Sequence, residues 1–129
     1  MEQRERGDHR ELSAVAFNEK GLVPAIVQDA ATGTVLMLAY MDREALETTL
    51  HTREVHFHSR SRGELWHKGA TSGQIQRVVE MRVDCDQDAI LIAVAVGGDG
   101  GCCHTGRRAC FYRSVALEDG RAVLRPLAS

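Results

Sequence analysis

No apolar run in this chain approaches the roughly 18 residues that a membrane-spanning helix needs. The segment Met1 to Glu11 is charged and has no apolar stretch, which excludes a secretory signal. Charge of one sign is also lacking, since the formal net charge is −2. A general nucleic-acid coat protein needs a basic surplus to neutralise phosphates, and none is present. No C-x-x-C occurs, which disfavours zinc fingers and thioredoxin-type redox motifs. No G-x-x-x-x-G-K-[ST] occurs either, which removes the Walker A phosphate loop. Lysine is scarce: of 16 basic residues only Lys20 and Lys68 are lysines, and the others are arginines. Arginine suits bidentate recognition of phosphate and carboxylate, although genome composition accounts for so even a bias more simply. These exclusions leave a soluble, cytoplasmic globular protein as the expectation.

What is present suits one domain. The chain has 129 residues, of which 43% are apolar, enough for a real core. A polar leader is expected over 1–16, the main domain over 17–115 and a C-terminal extension over 116–129. Leu22 to Gln28 and Val35 to Met41 are apolar runs on either side of Asp29-Ala-Ala-Thr-Gly33, the mark of a hairpin. Asp42 is a good N-cap. Arg43 to Thr52 carries Ala45, Leu46 and Leu50 behind early glutamates, which predicts a short helix. Val55 to His58 and Leu65-Trp66 read as short strands. Val79, Met81 and Val83 alternate with Glu80, Arg82 and Asp84, the pattern of a half-buried strand. Ala89 to Val96 is continuously apolar and reads as a buried strand. Gly97 to Gly101 reads as a turn, and Ala109 to Val115 and Ala122 to Leu124 as further strands. The sum is a strand-rich α+β domain with one clear helix.

Three constellations carry chemistry. In Asp84-Cys-Asp-Gln-Asp88 the carboxylates recur at every second residue. On a strand they share one face and Cys85 points to the other. Full extension spreads Asp84 and Asp88 by roughly 13 Å, too far for one ion. A bent segment or more than one ion is therefore required. An EF-hand fails, because Ala89 and Ala95 stand where its loop needs Gly and Glu. Mg²⁺, which keeps waters and serves phosphate substrates, fits sparse carboxylates better than a Ca²⁺ cage. The plain alternative is a solvated acidic turn.

The second constellation is Cys102-Cys-His-Thr-Gly-Arg-Arg-Ala-Cys110, to which Cys85 adds the last of 4 cysteines. Cys103 and Cys110 lie across a Gly-containing turn, and Cys85 adjoins the neighbouring buried strand. Three thiolates would leave Zn²⁺ an open fourth position, the catalytic arrangement. Zinc lowers the pKa of its bound water to about 7, giving hydroxide at neutral pH. His104, beside a ligand, is placed to move protons. Cysteines that are merely small buried hydrophobes are the alternative, and that suits Cys102. The third constellation is basic. Arg60 and Arg62 flank Ser61, Lys68 precedes a loop with Thr71 and Ser72, and Arg107-Arg108 follow Gly106. Glycine-rich backbone N–H groups with Arg and Lys hold phosphates. Trp66 either stacks on a base or belongs to the core. Together these point to a metal-dependent enzyme acting on a phosphorylated, nucleotide-like molecule.

With these residues in view, the chain resembles the phosphoribosyl-AMP cyclohydrolase family of histidine biosynthesis. The matching segments are Gly21-Leu-Val-Pro-Ala-Ile-Val-Gln-Asp29, Val35-Leu-Met-Leu-Ala-Tyr-Met41, Ser59-Arg-Ser-Arg62, Leu65-Trp66, Lys68-Gly-Ala-Thr-Ser-Gly73, Asp84-Cys-Asp-Gln-Asp88 and Cys103-His-Thr-Gly-Arg-Arg-Ala-Cys-Phe-Tyr-Arg113. The last two are the specific ones. The resemblance implies hydrolysis of the N1–C6 bond of N1-(5-phosphoribosyl)-AMP. The product is the formimino-aminoimidazole carboxamide ribonucleotide. It implies an intertwined homodimer with active sites between subunits. It implies Cys85, Cys103 and Cys110 as zinc ligands, Cys85 from one subunit and the others from its partner. It implies Asp84, Asp86 and Asp88 as magnesium ligands. His104 is the expected proton-transfer group. Arg60, Arg62, Trp66, Lys68, Thr71, Ser72, Arg107 and Arg108 are the expected substrate contacts. Ala70 departs from the Glu that the family often has there, so it receives no catalytic role. Cys102 is an extra cysteine. Many members of the family add a pyrophosphohydrolase domain; with few residues after Ser114, the expectation is that this activity resides in another chain.

Three rivals are weaker. A zinc nucleobase deaminase needs H-x-E and P-C-x-x-C, and neither is present. A zinc-stabilised binding module needs a closed four-ligand site, with His104 as the fourth ligand. A Cys–His nucleophilic hydrolase would rely on Cys103 and His104, whose adjacency seldom gives the required geometry.

Overall fold

The first hairpin forms where its two apolar runs flank a tight turn. Strand β1 is Val23–Asp29 and β2 is Val35–Met41. Gly33, at φ +80°, lets the chain reverse, and its N–H donates to the Asp29 carbonyl at 2.8 Å. A computed structural model describes residues 15–98 and 107–127 of the chain. The turn sequence therefore does what its composition predicts.

The helix α1 spans Arg43–Thr52, as its periodicity predicts. The Asp42 carboxylate accepts the Ala45 N–H at 2.8 Å, satisfying one of the orphan donors at the helix start. Arg53, at φ 63°, ends it in the left-handed conformation. Strands β3 (His56–Ser59) and β4 (Glu64–His67) form a second hairpin. Strands β5 (Gln76–Val83) and β6 (Ile90–Val96) follow, then β7 (Arg113–Glu118) and β8 (Arg121–Pro126).

The main sheet has the order β2-β1-β6-β5, with β1 and β6 parallel and the outer pairs antiparallel. The core lies on one face of it. Val23, Ala25 and Val27 of β1 and Ile90, Ile92 and Val94 of β6 alternate into that face. Ala45 and Leu46 of α1, with Val55 and Phe57, cover it. The β3–β4 hairpin joins the β5 edge through Val55 N–H to Gln76 O at 2.9 Å and Val78 N–H to Arg53 O at 2.8 Å.

Four readings need correction. Residues 84–88 are a turn, because β5 ends at Val83. Val79 and Val83 are exposed and only Met81 of that set is half-buried. The pairing slips between Val78 and Glu80, so Val79 is an extra residue that shifts the alternation. Strand β6 buries every second residue rather than its whole length. The strand expected at Ala109 begins only at Arg113. The β7–β8 hairpin pairs closely with itself and, among the described residues, has no extensive contact with another element. Among the described residues no helix is long and apolar enough to cross a membrane.

Candidate active site

The acidic cluster is built by a bend. Gln87 takes φ 68°, a left-handed conformation that folds residues 84–88 back on themselves. Asp84 closes the turn. Its carboxylate accepts the Asp88 N–H at 3.0 Å and the Ala89 N–H at 3.3 Å. Consequently one ligand oxygen from each of Asp84, Asp86 and Asp88 lies within 4.8 Å of the others. Extension would have separated them; the bend is what brings them to one point. Three converging, exposed carboxylates fit a hard divalent cation with waters completing its shell. Crowding shows in their ionisation. Hydrogen bonds with the Asp86 and Asp84 side chains, helped by both negative charges, push Asp88 up to about 6. Partial desolvation acts upward on Asp84, but hydrogen bonds from Asp88, Asp86 and the Ala89 N–H hold it below the ordinary value.

Among the described residues, the cysteines Cys85 and Cys110 lie at opposite corners of the main sheet. Cys85 is exposed in the turn after β5, at the edge where β1 begins. Cys110 is also exposed, and its N–H donates to the Leu36 carbonyl at 2.7 Å, at the edge where β1 ends. The β1–β2 register steps past Leu36, since Val27 faces Met37 and Gln28 faces Val35. This bulge turns a carbonyl outward to hold Cys110. Three strand spacings and several residues of rise separate the corners, on the order of 20 Å. Cys102, Cys103 and His104 lie outside the described residues.

The expected phosphate contacts divide between the same two edges. Arg60 lies over the Tyr40 ring at 4.0 Å, near the start of β1. Arg62 is exposed and pairs with Glu64 at 2.8 Å. At the other edge, Lys68 is buried to 7% exposure, with Nζ 5.5 Å from the Trp66 ring centre. Trp66 is half-buried and packs on the core beside Phe57, with ring centres 5.4 Å apart. Thr71 and Ser72 are exposed in the loop between Gly69 and Gly73. That loop is closed tightly, the Gly73 N–H donating to the Gly69 carbonyl at 2.8 Å. A Cβ on Gly69 would sit 2.3 Å from the Gln74 carbonyl carbon, so glycine is required there. Arg107 lies over the Tyr112 ring at 4.2 Å. Arg108 donates to the Asp29 carboxylate at 2.5 Å.

Sequence reasoning missed Asp29, Tyr40, Glu54 and Tyr112 as partners of the expected site residues or of the elements around them. Glu54 accepts from His67 at 2.8 Å and Arg77 at 3.0 Å, linking β4 to β5. His67 in turn stacks on His56 at 4.3 Å between ring centres. Asp29, Tyr40 and Tyr112 lie within the segments that resemble the family, and Glu54 lies outside them, but a segment does not name the residue that each side chain meets. Only long-range pairing reveals them.

Fold and site define a small α+β enzyme domain with a convergent carboxylate cradle at one sheet edge and glycine-lined basic loops at the other. The family model for phosphoribosyl-AMP cyclohydrolase matches residues 37–112. A phosphoribosyl-AMP cyclohydrolase of Rhizobium rhizogenes is 57% identical over 108 residues, covering 84% of this chain and 72% of the relative. One from Caulobacter vibrioides is 59% identical over 112 residues, covering 87% and 79%. One from Chelativorans is 56% identical over 108 residues, covering 84% and 78%. The chain belongs to the phosphoribosyl-AMP cyclohydrolase family and is an enzyme of it.

Proposed function

We propose that this enzyme opens the purine ring of N1-(5-phosphoribosyl)-AMP in the cytoplasm, as a step of L-histidine biosynthesis. Water adds its oxygen to C6, the N1–C6 bond breaks, and N1 leaves with a proton. The product is the formimino-aminoimidazole carboxamide ribonucleotide. The observation that carries this reading is the Asp84-Asp86-Asp88 cradle, with its oxygens within 4.8 Å, in a chain of this family. The cradle suits Mg²⁺ beside a phosphorylated substrate.

Cys85, Cys103 and Cys110 are the thiolates that would hold Zn²⁺. When bound, zinc supplies a water acidic enough to give hydroxide at neutral pH. His104 donates the proton that the departing N1 requires. Arg60 and Arg62 at one edge, and Lys68, Thr71, Ser72, Arg107 and Arg108 at the other, hold the phosphates and riboses. Trp66 borders the base.

A homodimer is part of the reading. Thiolates on one zinc ion must approach to about 4 Å, whereas the corners bearing Cys85 and Cys110 are on the order of 20 Å apart within one chain. Two chains related by a two-fold axis, each bringing its Cys85 corner to the other's Cys110 corner, remove that separation. Val115, Leu117 and Leu124 give the β7–β8 hairpin an exposed apolar face, each at 58% exposure or more. A second copy is the occupant that would bury it.

The test is to add phosphoribosyl-AMP to protein replete with both ions and follow ultraviolet absorbance. Ring opening changes the chromophore, and a static spectrum overturns the reading. A His104→Ala variant should keep its zinc and lose turnover. Full turnover in that variant removes His104 from the mechanism.

A further inference from the structure

We infer that the Asp29–Arg108 ion pair positions the Cys110 thiolate, so that Arg108 acts on the metal site through the backbone as well as facing substrate. The inference rests on the proposed role of Cys110 as a zinc ligand.

Asp29 ends β1, and its side chain is only 9% exposed. Both carboxylate oxygens are used. One accepts the Ala31 N–H at 2.8 Å, inside the β1–β2 turn, and the other accepts Arg108 Nη2 at 2.5 Å. The turn itself is fixed by the Asp29 N–H to Thr34 O and the Ala30 N–H to Val94 O, each at 2.8 Å. Asp29 is therefore a rigid point on the main sheet. Arg108 crosses 79 residues of sequence to reach it.

Two residues further on, the Cys110 N–H meets the Leu36 carbonyl at 2.7 Å. That carbonyl is turned outward because Leu36 is the extra residue of the β2 bulge. The segment 108–110 is thus held at two points, by a charge-assisted side-chain bond at Arg108 and a backbone bond at Cys110. Between them Ala109 packs against the core. A thiolate carried on so constrained a backbone loses little freedom when it binds a metal. Partners behind a ligand commonly change metal affinity 10- to 100-fold. Arg108 keeps 53% of its side chain exposed beside this pair.

The test uses the full chain with Arg108→Met, which leaves the buried face of the domain intact, and Asp29→Asn, which keeps an acceptor for Ala31. Zinc affinity is measured by competition with a chromophoric chelator. Hydrogen exchange of the Cys110 amide is measured in the metal-free protein. Both variants should weaken zinc by about 10-fold or more, speed exchange at Cys110, and show no further loss when combined. Unchanged zinc affinity and exchange in Arg108→Met, with only KM raised, overturns the inference and leaves Arg108 a substrate contact. A Cys110→Ser variant that retains full zinc affinity instead overturns the ligand reading, which is a separate outcome.

Discussion

Thr49 shows how much one side chain carries in a small core. It is fully buried on α1 and faces the start of β3. Its hydroxyl donates to the Ala45 carbonyl at 2.8 Å and accepts the His56 N–H at 2.9 Å. Thr49→Val keeps the shape and strands the His56 N–H in an apolar setting. The expected loss is about 1–3 kcal/mol, read by calorimetry as a Tm lower by roughly 5–10 °C. An unchanged Tm would show that water reaches that amide.

The doubled cysteine is a second question at this scale. The proposed ligand set takes Cys103, the first residue of Cys-His-Thr-Gly, as a zinc thiolate. Cys102→Ser should therefore retain stoichiometric zinc, and Cys103→Ser should lose it, by metal analysis after dialysis. The reverse outcome moves the ligand by one residue. The residue scale also marks where sequence reasoning reached. Asp42 was legible as a cap because its chemistry is local. Asp29 was not, because its partner is 79 positions away and an aspartate ending a strand has many ordinary uses.

At the scale of elements, periodicity revealed the hairpin β1–β2, the helix α1 and most strands. It did not reveal the bulges at Leu36 and Val79. An extra residue inside an apolar run leaves the run apolar, while it moves every later side chain to the other face. At 84–88 the carboxylate spacing left open either a bend or more than one ion, and local composition did not choose between them. A left-handed residue is usually announced by Gly or Asn, and here it is Gln87. Alternating carboxylates on a strand were expected; the cradle instead depends on the strand stopping at Val83.

The Lys68–Gly73 loop makes a prediction of its own. Gly69 takes φ +87° and has backbone where a Cβ would be. Gly69→Ala must therefore open the loop that presents Thr71 and Ser72. Zinc content should stay stoichiometric, because no cysteine lies near that segment in sequence. KM should rise by about 10-fold or more if Thr71 and Ser72 make the proposed phosphate contacts. Steady-state kinetics with metal analysis on the same sample decides this, and an unchanged KM would remove the loop from substrate binding.

At the scale of the whole molecule, near-neutral net charge conceals clustering. The carboxylate cradle and Arg60 lie at one edge of the sheet, Lys68 and Arg108 at the other, and Cys85 and Cys110 occupy its opposite corners. A site that needs both corners has to be assembled from two chains, and subunit mixing tests this directly. Cys85→Ser and Cys110→Ser should each be inactive alone. Coexpressed, they form mixed dimers in which one site lacks both thiolates and the other keeps both. Random pairing makes about half the dimers mixed, each with one intact site of two, so about a quarter of wild-type activity should return. Zinc content should recover in parallel beyond that of either variant alone. A site built within one chain predicts no recovery at any mixing ratio, because every chain then carries a defective site. Recovered activity would therefore place the zinc ligands on two subunits, and its absence, with mixed dimers verified by mass, would return the site to a single chain.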